Sequence, residues 1–126
     1  MESSNLNLVI AYIQPFQLEA VVDALRTIAG FPGLTVSEAR GFGAHLAHPP
    51  HPGESTEVRP FEATVRIEIA CRESQVALIV GKLRATAHTG HTGDGKILIL
   101  ELSDALRIRT GERGGDALSS PVHGDS

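Results

Sequence analysis

Apolar residues along this chain follow two different periods. The run from Leu6 to Ile13 has the length of a short strand, and Val65, Ile67 and Ile69 alternate with polar residues, as in a half-buried strand. Two other segments place apolar residues three or four positions apart, which is typical of one face of a helix. These helix faces consist of Leu18, Val21, Val22, Leu25 and Ile28, and of Val76, Ile79, Val80 and Leu83.

Two further segments complete the set of predicted elements. Leu34 to Ala39 is short and partly β-branched, and Ile97 to Leu102 is apolar on both faces. We expect the first helix to stop near Gly30 and Ser74 to cap the second helix. The order is β-α-β, a long segment, then β-α-β. It predicts an α+β fold of the ferredoxin-like double βαβ type, with a four-stranded antiparallel sheet and two helices on one face.

The last predicted strand raises a question of burial. Two helices cover only one face of such a sheet, yet Leu98 and Leu100 would point to one face while Ile97 and Ile99 point to the other. Because an exposed apolar face promotes aggregation, we expect other copies of the chain to cover it. A fold-back of the C-terminal segment is the alternative cover. Its glycines and polar residues favour a tail instead, so we predict one domain over residues 1–118 and a flexible tail over 119–126.

Between the two halves lies a long segment without either period. Four prolines exclude regular structure from most of residues 43–61, which we therefore predict to be a loop. A loop of this length in a compact domain is unusual and is either functional or disordered.

Composition narrows the classes of function. The 126 residues carry a net charge of -4, which argues against a general nucleic-acid or membrane-surface binder. No apolar run approaches the roughly 20 residues of a membrane span, so we expect a soluble cytoplasmic protein without membrane insertion. The single cysteine, Cys71, has no partner for an internal disulfide and fits a buried core position.

The stretch from Thr89 to Lys96 is the strongest candidate for chemistry. It contains Gly90, Gly93 and Gly95 and ends on a lysine, the composition of a backbone nest that binds anions. Ile97 stands where a P-loop needs Ser or Thr, and a helix precedes the loop instead of following it. A P-loop NTPase is therefore excluded, and a purely structural helix-to-strand turn is the alternative to anion binding.

Four motifs together resemble the P-II nitrogen-regulatory signalling family over roughly residues 6–118. They are Ile13-Gln14-Pro15-Phe16, Gly41-Phe42-Gly43, Thr89-Gly90 with Gly93-Asp94-Gly95-Lys96-Ile97, and Arg107-Ile108-Arg109-Thr110-Gly111-Glu112. The resemblance implies a homotrimer that binds ATP, ADP or AMP in clefts between subunits. It also implies a long loop that docks on a target protein, such as a membrane transporter, an enzyme or a regulator.

The resemblance also implies a set of nucleotide-binding residues. Gly93 and Gly95 would offer N–H groups to phosphates, and Lys96, Arg107 and Arg109 would supply positive charge, the arginines from a neighbouring subunit. For the two arginines, a solvated pair at an edge is the alternative. The full set is Thr35, Gly41, Phe42, Gly43, Glu68, Thr89, Gly90, Gly93, Asp94, Gly95, Lys96, Arg107 and Arg109.

No assembled nucleophile and general base is visible, so we do not predict an enzyme. Magnesium is a candidate cofactor, with Asp94 and Glu68 as acid or metal-binding groups near the nucleotide, and slow ATP hydrolysis is the catalytic alternative. Phe16, Phe31, Phe42 and Phe61 are too scattered in sequence to predict a stacking platform.

The sequence departs from the family pattern at positions that concern 2-oxoglutarate, a second ligand of the family besides the nucleotide. Ala44-His45 stands where the family has Arg-Gln, and Thr64 stands where it has a lysine that contacts 2-oxoglutarate. A neutral hydroxyl does not replace a cation facing a dianion, so we expect no usual 2-oxoglutarate sensing. Glu57 replaces the tyrosine that some members carry as a uridylylation site.

The same loop carries His45, His48 and His51, spaced three residues apart. Imidazoles suit Zn, Ni or Cu, so a metal-responsive protein is one alternative function, although loop histidines are often only polar surface residues. Control of inorganic-carbon uptake through bicarbonate and adenylates is another alternative that the resemblance implies.

Overall fold

The computed structural model describes residues 5–42, 61–91 and 93–119, and its main feature is one four-stranded antiparallel sheet. The strands lie in the order β2-β3-β1-β4, with β1 and β3 in the centre. Their bounds are Leu6–Ile13 for β1, Thr35–Gly41 for β2, Glu62–Arg72 for β3 and Lys96–Leu102 for β4. The helices are α1 (Leu18–Leu25), α2 (Val76–Ala87) and a short α3 (Gly115–Leu118). The predicted ferredoxin-like α+β fold is confirmed.

The core lies between one face of this sheet and the first two helices. Alternate residues of β1 and β3, such as Val9, Ala11 and Ile67, are fully buried, because successive side chains of a strand point to opposite faces. Both predicted helix faces pack against them, and fully burying one such aliphatic side chain contributes about 1.5–3 kcal/mol. The buried helix-face residues are Val21, Leu25, Ile28, Ile79 and Leu83.

The helix ends differ in detail from the prediction. The first helix ends at Leu25, short of Gly30, although Ile28 is still buried in the turn that follows. The predicted cap Ser74 is wrong, since it lies inside a 3-10 turn that leads into α2. Instead, the side-chain oxygen of Gln75 accepts a hydrogen bond from the N–H of Arg72 at 3.2 Å. The sequence prediction places the cap at Ser74 because it does not foresee the 3-10 turn, which moves the start of α2 to Val76.

The second sheet face is only partly covered. Ile10 on β1 lies opposite Leu98 on β4 and is 7% exposed, whereas Leu98 and Leu100 are 42% and 44% exposed. The short helix α3 lies against β3, so the described C-terminal residues 115–119 pack on the β3 side, while Leu98 and Leu100 of β4 stay partly exposed. The partly exposed side chains of Leu98 and Leu100 are consistent with the expectation that further copies of the chain cover β4.

Two predicted features lie at the limits of the described residues. The predicted loop 43–61 falls outside the described ranges except for Phe61, and residues 120–126 of the predicted tail also fall outside them. Across residues 5–42, 61–91 and 93–119, no helix is long and apolar enough to cross a membrane.

Candidate functional site

Most of the described candidate residues line two cavities at opposite ends of β2. Gly41, Phe42, Gly93, Gly95 and Lys96, here called the glycine half-site, line one cavity of about 660 Å³. Thr35, Glu68 and Arg107, here called the threonine half-site, line another of about 410 Å³. Thr35 and Gly41 are the first and last residues of one strand. At about 3.3 Å per residue, the ends of β2 lie about 20 Å apart.

Asp94 organises the glycine loop from within. Its carboxylate accepts hydrogen bonds from the N–H groups of Thr89 and Gly90 at 2.7 and 3.0 Å, and from the Thr89 hydroxyl. The hydroxyl bond, followed by the Thr89 N–H, lowers the pKa of Asp94 below its ordinary value. The side chain of His88 lies nearby, with Nδ1 at 3.5 Å from the carboxylate. Asp94 therefore uses its oxygens to hold the loop.

Residues of β1 and the turn after it fix the other side of the loop. The side-chain amide of Gln14 donates a hydrogen bond to the carbonyl oxygen of Gly93 at 2.8 Å. Gly95 has φ of 103°, and a Cβ at this position would overlap the Tyr12 carbonyl. Only glycine tolerates both conditions. The sequence gives no sign that Gln14 belongs to the site, because its contact joins residues 79 positions apart.

An aromatic pair stands at the base of the long loop. Phe42 and Phe61 have ring centroids 5.9 Å apart, and both side chains are about half exposed. The two rings are tilted by 49° and form a single contact, although the residues lie far apart in the sequence. The β2–β3 register, in which Gly41 lies opposite Glu62, brings Phe42 next to Phe61 when it is continued by one residue.

In the threonine half-site, Glu68 is held by a neighbouring arginine. Arg66 Nη2 lies 2.7 Å from Glu68 Oε2, and Arg66 Nη1 donates a hydrogen bond to the Tyr12 hydroxyl at 3.2 Å. The Arg66 guanidinium also lies over the Tyr12 ring, 5.8 Å from its centroid. Thr35 lies opposite Glu68 in the sheet. The Glu68 carboxylate is thus oriented on the face that carries Thr35.

The two candidate arginines have different environments. The side chain of Arg107 is 19% exposed, and its Nη2 donates to the carbonyl oxygens of Asp116 and Ala117 at 3.2 and 3.3 Å and to that of Ser119. Arg109 is exposed in the turn that Gly111 closes through its N–H to the Arg107 carbonyl, at 2.7 Å. The alternative of a solvated arginine therefore fits Arg109, which is exposed, but not Arg107, which is largely buried and hydrogen-bonded.

Several predicted site residues lie outside the described part of the chain. These are Gly43 and the proposed metal ligands His45, His48 and His51. Within residues 5–42, 61–91 and 93–119, no group of three or more His, Cys, Asp or Glu side chains is arranged to hold a metal ion. Cys71 is buried in the core, and this burial raises the pKa of its thiol.

Comparisons with known proteins match this architecture. The family model described as "Nitrogen regulatory protein P-II" matches residues 6–112. A P-II protein of Azospirillum brasilense is 41% identical over 108 residues, covering 86% of this chain and 96% of that protein. A Synechocystis P-II protein is 43% identical over 108 residues, with the same coverage of both chains.

A solved structure shows the same fold. The crystal structure of Arabidopsis thaliana PII bound to citrate superimposes with a TM-score of 0.74 at 37% identity, covering 90% of this chain and 92% of that one. The residues that carry the resemblance in the sequence all lie within or next to the matched range. This chain belongs to the P-II family of nitrogen regulatory proteins.

Proposed function

We propose that this protein is a homotrimeric signalling protein that binds ATP, ADP or AMP between its subunits and regulates a target protein through its long loop. The observation that carries the proposal is the division of the candidate residues into two half-sites about 20 Å apart on one chain. Neither half-site alone has the full set of groups. A site assembled from the glycine half-site of one copy and the threonine half-site of the next would have them all.

The two half-sites have complementary chemistry. Lys96 and the glycine backbone of one half-site suit phosphate oxygens, while the oriented carboxylate of Glu68 in the other suits hydroxyl or amino donors of a nucleoside. Arg107 adds a second positive charge. Each charge-assisted hydrogen bond contributes about 1.5–3 kcal/mol. The choice of an adenine base rests on the family resemblance.

The partly exposed face of β4 supports assembly. Leu98 and Leu100 are side chains of an edge strand that the described C-terminal residues leave uncovered. Burying apolar surface contributes about 25 cal/mol per Å² before the cost of association is subtracted. A second copy packed on this face would remove an aggregation-prone surface and would bring half-sites of two chains together.

The position of the loop base supports a regulatory mechanism. Gly41 and Phe42 line the glycine half-site and lead directly into residues 43–61. A nucleotide in this cavity would contact the backbone from which the loop starts. Each nucleotide would favour the loop conformation it fits better, by no more than its difference in affinity for the two conformations. The loop would thereby bind or release its target.

A regulatory role fits the environment of the carboxylates better than catalysis does. Glu68 is paired with Arg66, and Asp94 accepts hydrogen bonds from its own loop. Neither carboxylate is placed as a general base, and magnesium, if it enters the site, would need ligands from the nucleotide.

The second effector is proposed to differ from that of typical family members. Thr64 lines the glycine cavity, and its hydroxyl donates to the Ile13 carbonyl at 3.0 Å, so it offers no charge to a dianion. We therefore expect nucleotide binding without a response to 2-oxoglutarate. Bicarbonate, and Zn or Ni bound through the loop histidines, are the other effectors to be compared.

Calorimetric titration with ATP, ADP and AMP tests the proposal, each titration being repeated with 2-oxoglutarate, bicarbonate, Zn and Ni. The Lys96→Ala variant should bind ATP about tenfold or more weakly, since one charge-assisted hydrogen bond is lost. Lys82→Ala, on the surface of α2, is the matched control and should bind like the unmodified protein. Equal affinity in the Lys96 variant, or no adenylate binding at all, would contradict the proposed function.

A further inference from the structure

The segment after the arginine turn holds the side chain of Arg107 in place. Three carbonyl oxygens of the C-terminal segment, those of Asp116, Ala117 and Ser119, accept hydrogen bonds from Nη2 of this one side chain. On its other side, Nε of Arg107 lies 3.6 Å from Glu112 Oε1. No described residue accepts a hydrogen bond from Nη1 of Arg107. The guanidinium is therefore held at Nη2 by three carbonyl oxygens and at Nε by the Glu112 carboxylate.

Arg72, at the end of β3, holds the same segment from the opposite side. Its Nη2 donates to the Ser119 hydroxyl oxygen at 3.2 Å and lies 3.6 Å from the Asp116 carboxylate. The backbone of Gly115 lies so close that a Cβ there would overlap the Arg72 guanidinium. Residues 115–119 are thus packed between two arginines, one on β3 and one on the turn. We call Arg72 and residues 115–119 the C-terminal clasp.

The clasp lies beside the threonine half-site. Ala117, Leu118 and Ser119 line the same cavity as Thr35, Glu68 and Arg107. The clasp therefore fixes Arg107 at a defined place in this cavity.

We propose that the C-terminal clasp positions Arg107 for binding the phosphate groups of a nucleotide, with Arg72 as a positioning residue that does not contact the ligand. This inference rests on the proposed function, because it assumes that Arg107 binds phosphate. The physical reason is preorganisation. A free arginine side chain loses about 2 kcal/mol of rotamer entropy when it is fixed. A side chain fixed before binding does not incur this loss again when the ligand arrives.

The main test is the Arg72→Met variant of the full chain, titrated with ATP in the calorimeter. Without Arg72 the clasp should no longer hold the side chain of Arg107, and ATP binding should weaken about three- to tenfold. Arg26→Met removes the same charge from the exposed end of α1 and is the matched control, with unchanged affinity expected. Thermal unfolding of both variants checks that the fold is retained.

A double variant separates positioning from a general charge effect. In an Arg107→Met background, Arg72→Met should cause no further loss of ATP affinity, because the residue through which it acts is gone. Hydrogen exchange provides a readout independent of nucleotide. The amides of Ala117 and Ser119 donate to the carbonyls of Gly114 and Gly115 at 3.0 and 3.2 Å, and they should exchange faster in the Arg72 variant.

The outcomes are distinct. Unchanged or tighter ATP binding by Arg72→Met overturns the inference, and tighter binding would mean that the clasp competes with the ligand for Arg107. An equal loss in the Arg107→Met background overturns it as well. If the unmodified protein binds no adenylate, the proposed function fails and the positioning role fails with it. Faster exchange at Ala117 and Ser119 would then show only that Arg72 holds the segment.

Discussion

Asp94 accepts hydrogen bonds from both the backbone N–H and the hydroxyl of Thr89, five residues before it in the chain. The carboxylate thus occupies the part of the glycine loop in which the N–H groups of Thr89 and Gly90 converge. A phosphate cannot use those two donors while Asp94 holds them. Within the described part of the loop, phosphate contacts are therefore expected at Gly93, Gly95 and Lys96.

Asp94→Asn should weaken ATP binding about three- to tenfold while the chain still folds. The amide replaces one acceptor oxygen by a donor, so one of the loop N–H groups loses its partner. Calorimetry measures the affinity. Asp23→Asn makes the same change on the exposed surface of α1, outside both half-sites, and is the control, with unchanged affinity expected. Equal affinities of the two variants would argue against the role of Asp94.

The depressed pKa of Asp94 sets the pH range in which its loop is stabilised. Because the folded-state pKa lies below the unfolded value of about 3.9, the stabilisation is fully present above that value and is lost as pH falls through the folded pKa. The amide resonances of Thr89 and Gly90 in NMR spectra should show no transition from Asp94 between about pH 5 and pH 8. A carboxylate transition within that range would contradict the assignment.

Substitutions at Gly95 and Gly90 test how much the close packing of the loop against β1 contributes to stability. Both have positive φ, 103° and 89°, but only at Gly95 would a Cβ overlap the backbone of Tyr12. Gly90→Ala should lower the free energy of unfolding by about 1–2 kcal/mol through backbone strain alone. Gly95→Ala should lower it by clearly more. Denaturant unfolding at one fixed protein concentration measures both, and equal losses would mean that the contact with Tyr12 is unimportant.

Leu98 and Leu78 test which surface mediates assembly. Leu98 lies on the sheet face opposite α1 and α2, and Leu78 lies on the outer face of α2, with exposures of 42% and 52%. Leu98→Lys would place a charge in the expected interface between copies, so it should shift sedimentation toward monomers. Leu78→Lys should leave the trimer intact. The reverse result would place the interface on the helices.

The sequence predicted those features that depend on local pattern. The bounds of β1 agree at both ends, and Val21, Leu25, Ile79 and Leu83 are buried as their spacing indicated. The predicted cap at Ser74 is wrong because a 3-10 turn and the start of an α-helix have similar sequence signals. Helix α3 was not predicted at all, since four residues containing a glycine carry no helical period.

Contacts between distant residues could not be read from the sequence. Gln14 reaches Gly93 across 79 positions, and Arg72 reaches Ser119 across 47. The family pattern named Arg107 but gave no indication that carbonyl groups of the chain's own C-terminal segment hold it. The separation into two half-sites likewise appears only once Thr35 and Gly41 are placed at opposite ends of β2.

Co-assembly of two variants that each bind ATP weakly tests the central claim, a site shared between copies, most directly. Lys96→Ala damages the glycine half-site and Arg107→Met the threonine half-site. In a ring of three, each mixed trimer contains one junction at which both half-sites are intact. ATP binding measured by calorimetry should therefore be weak in each variant alone and should recover in part after co-expression, at one site per mixed trimer. If mixed trimers bind ATP no better than the separate variants, the site lies within a single chain and the account is wrong.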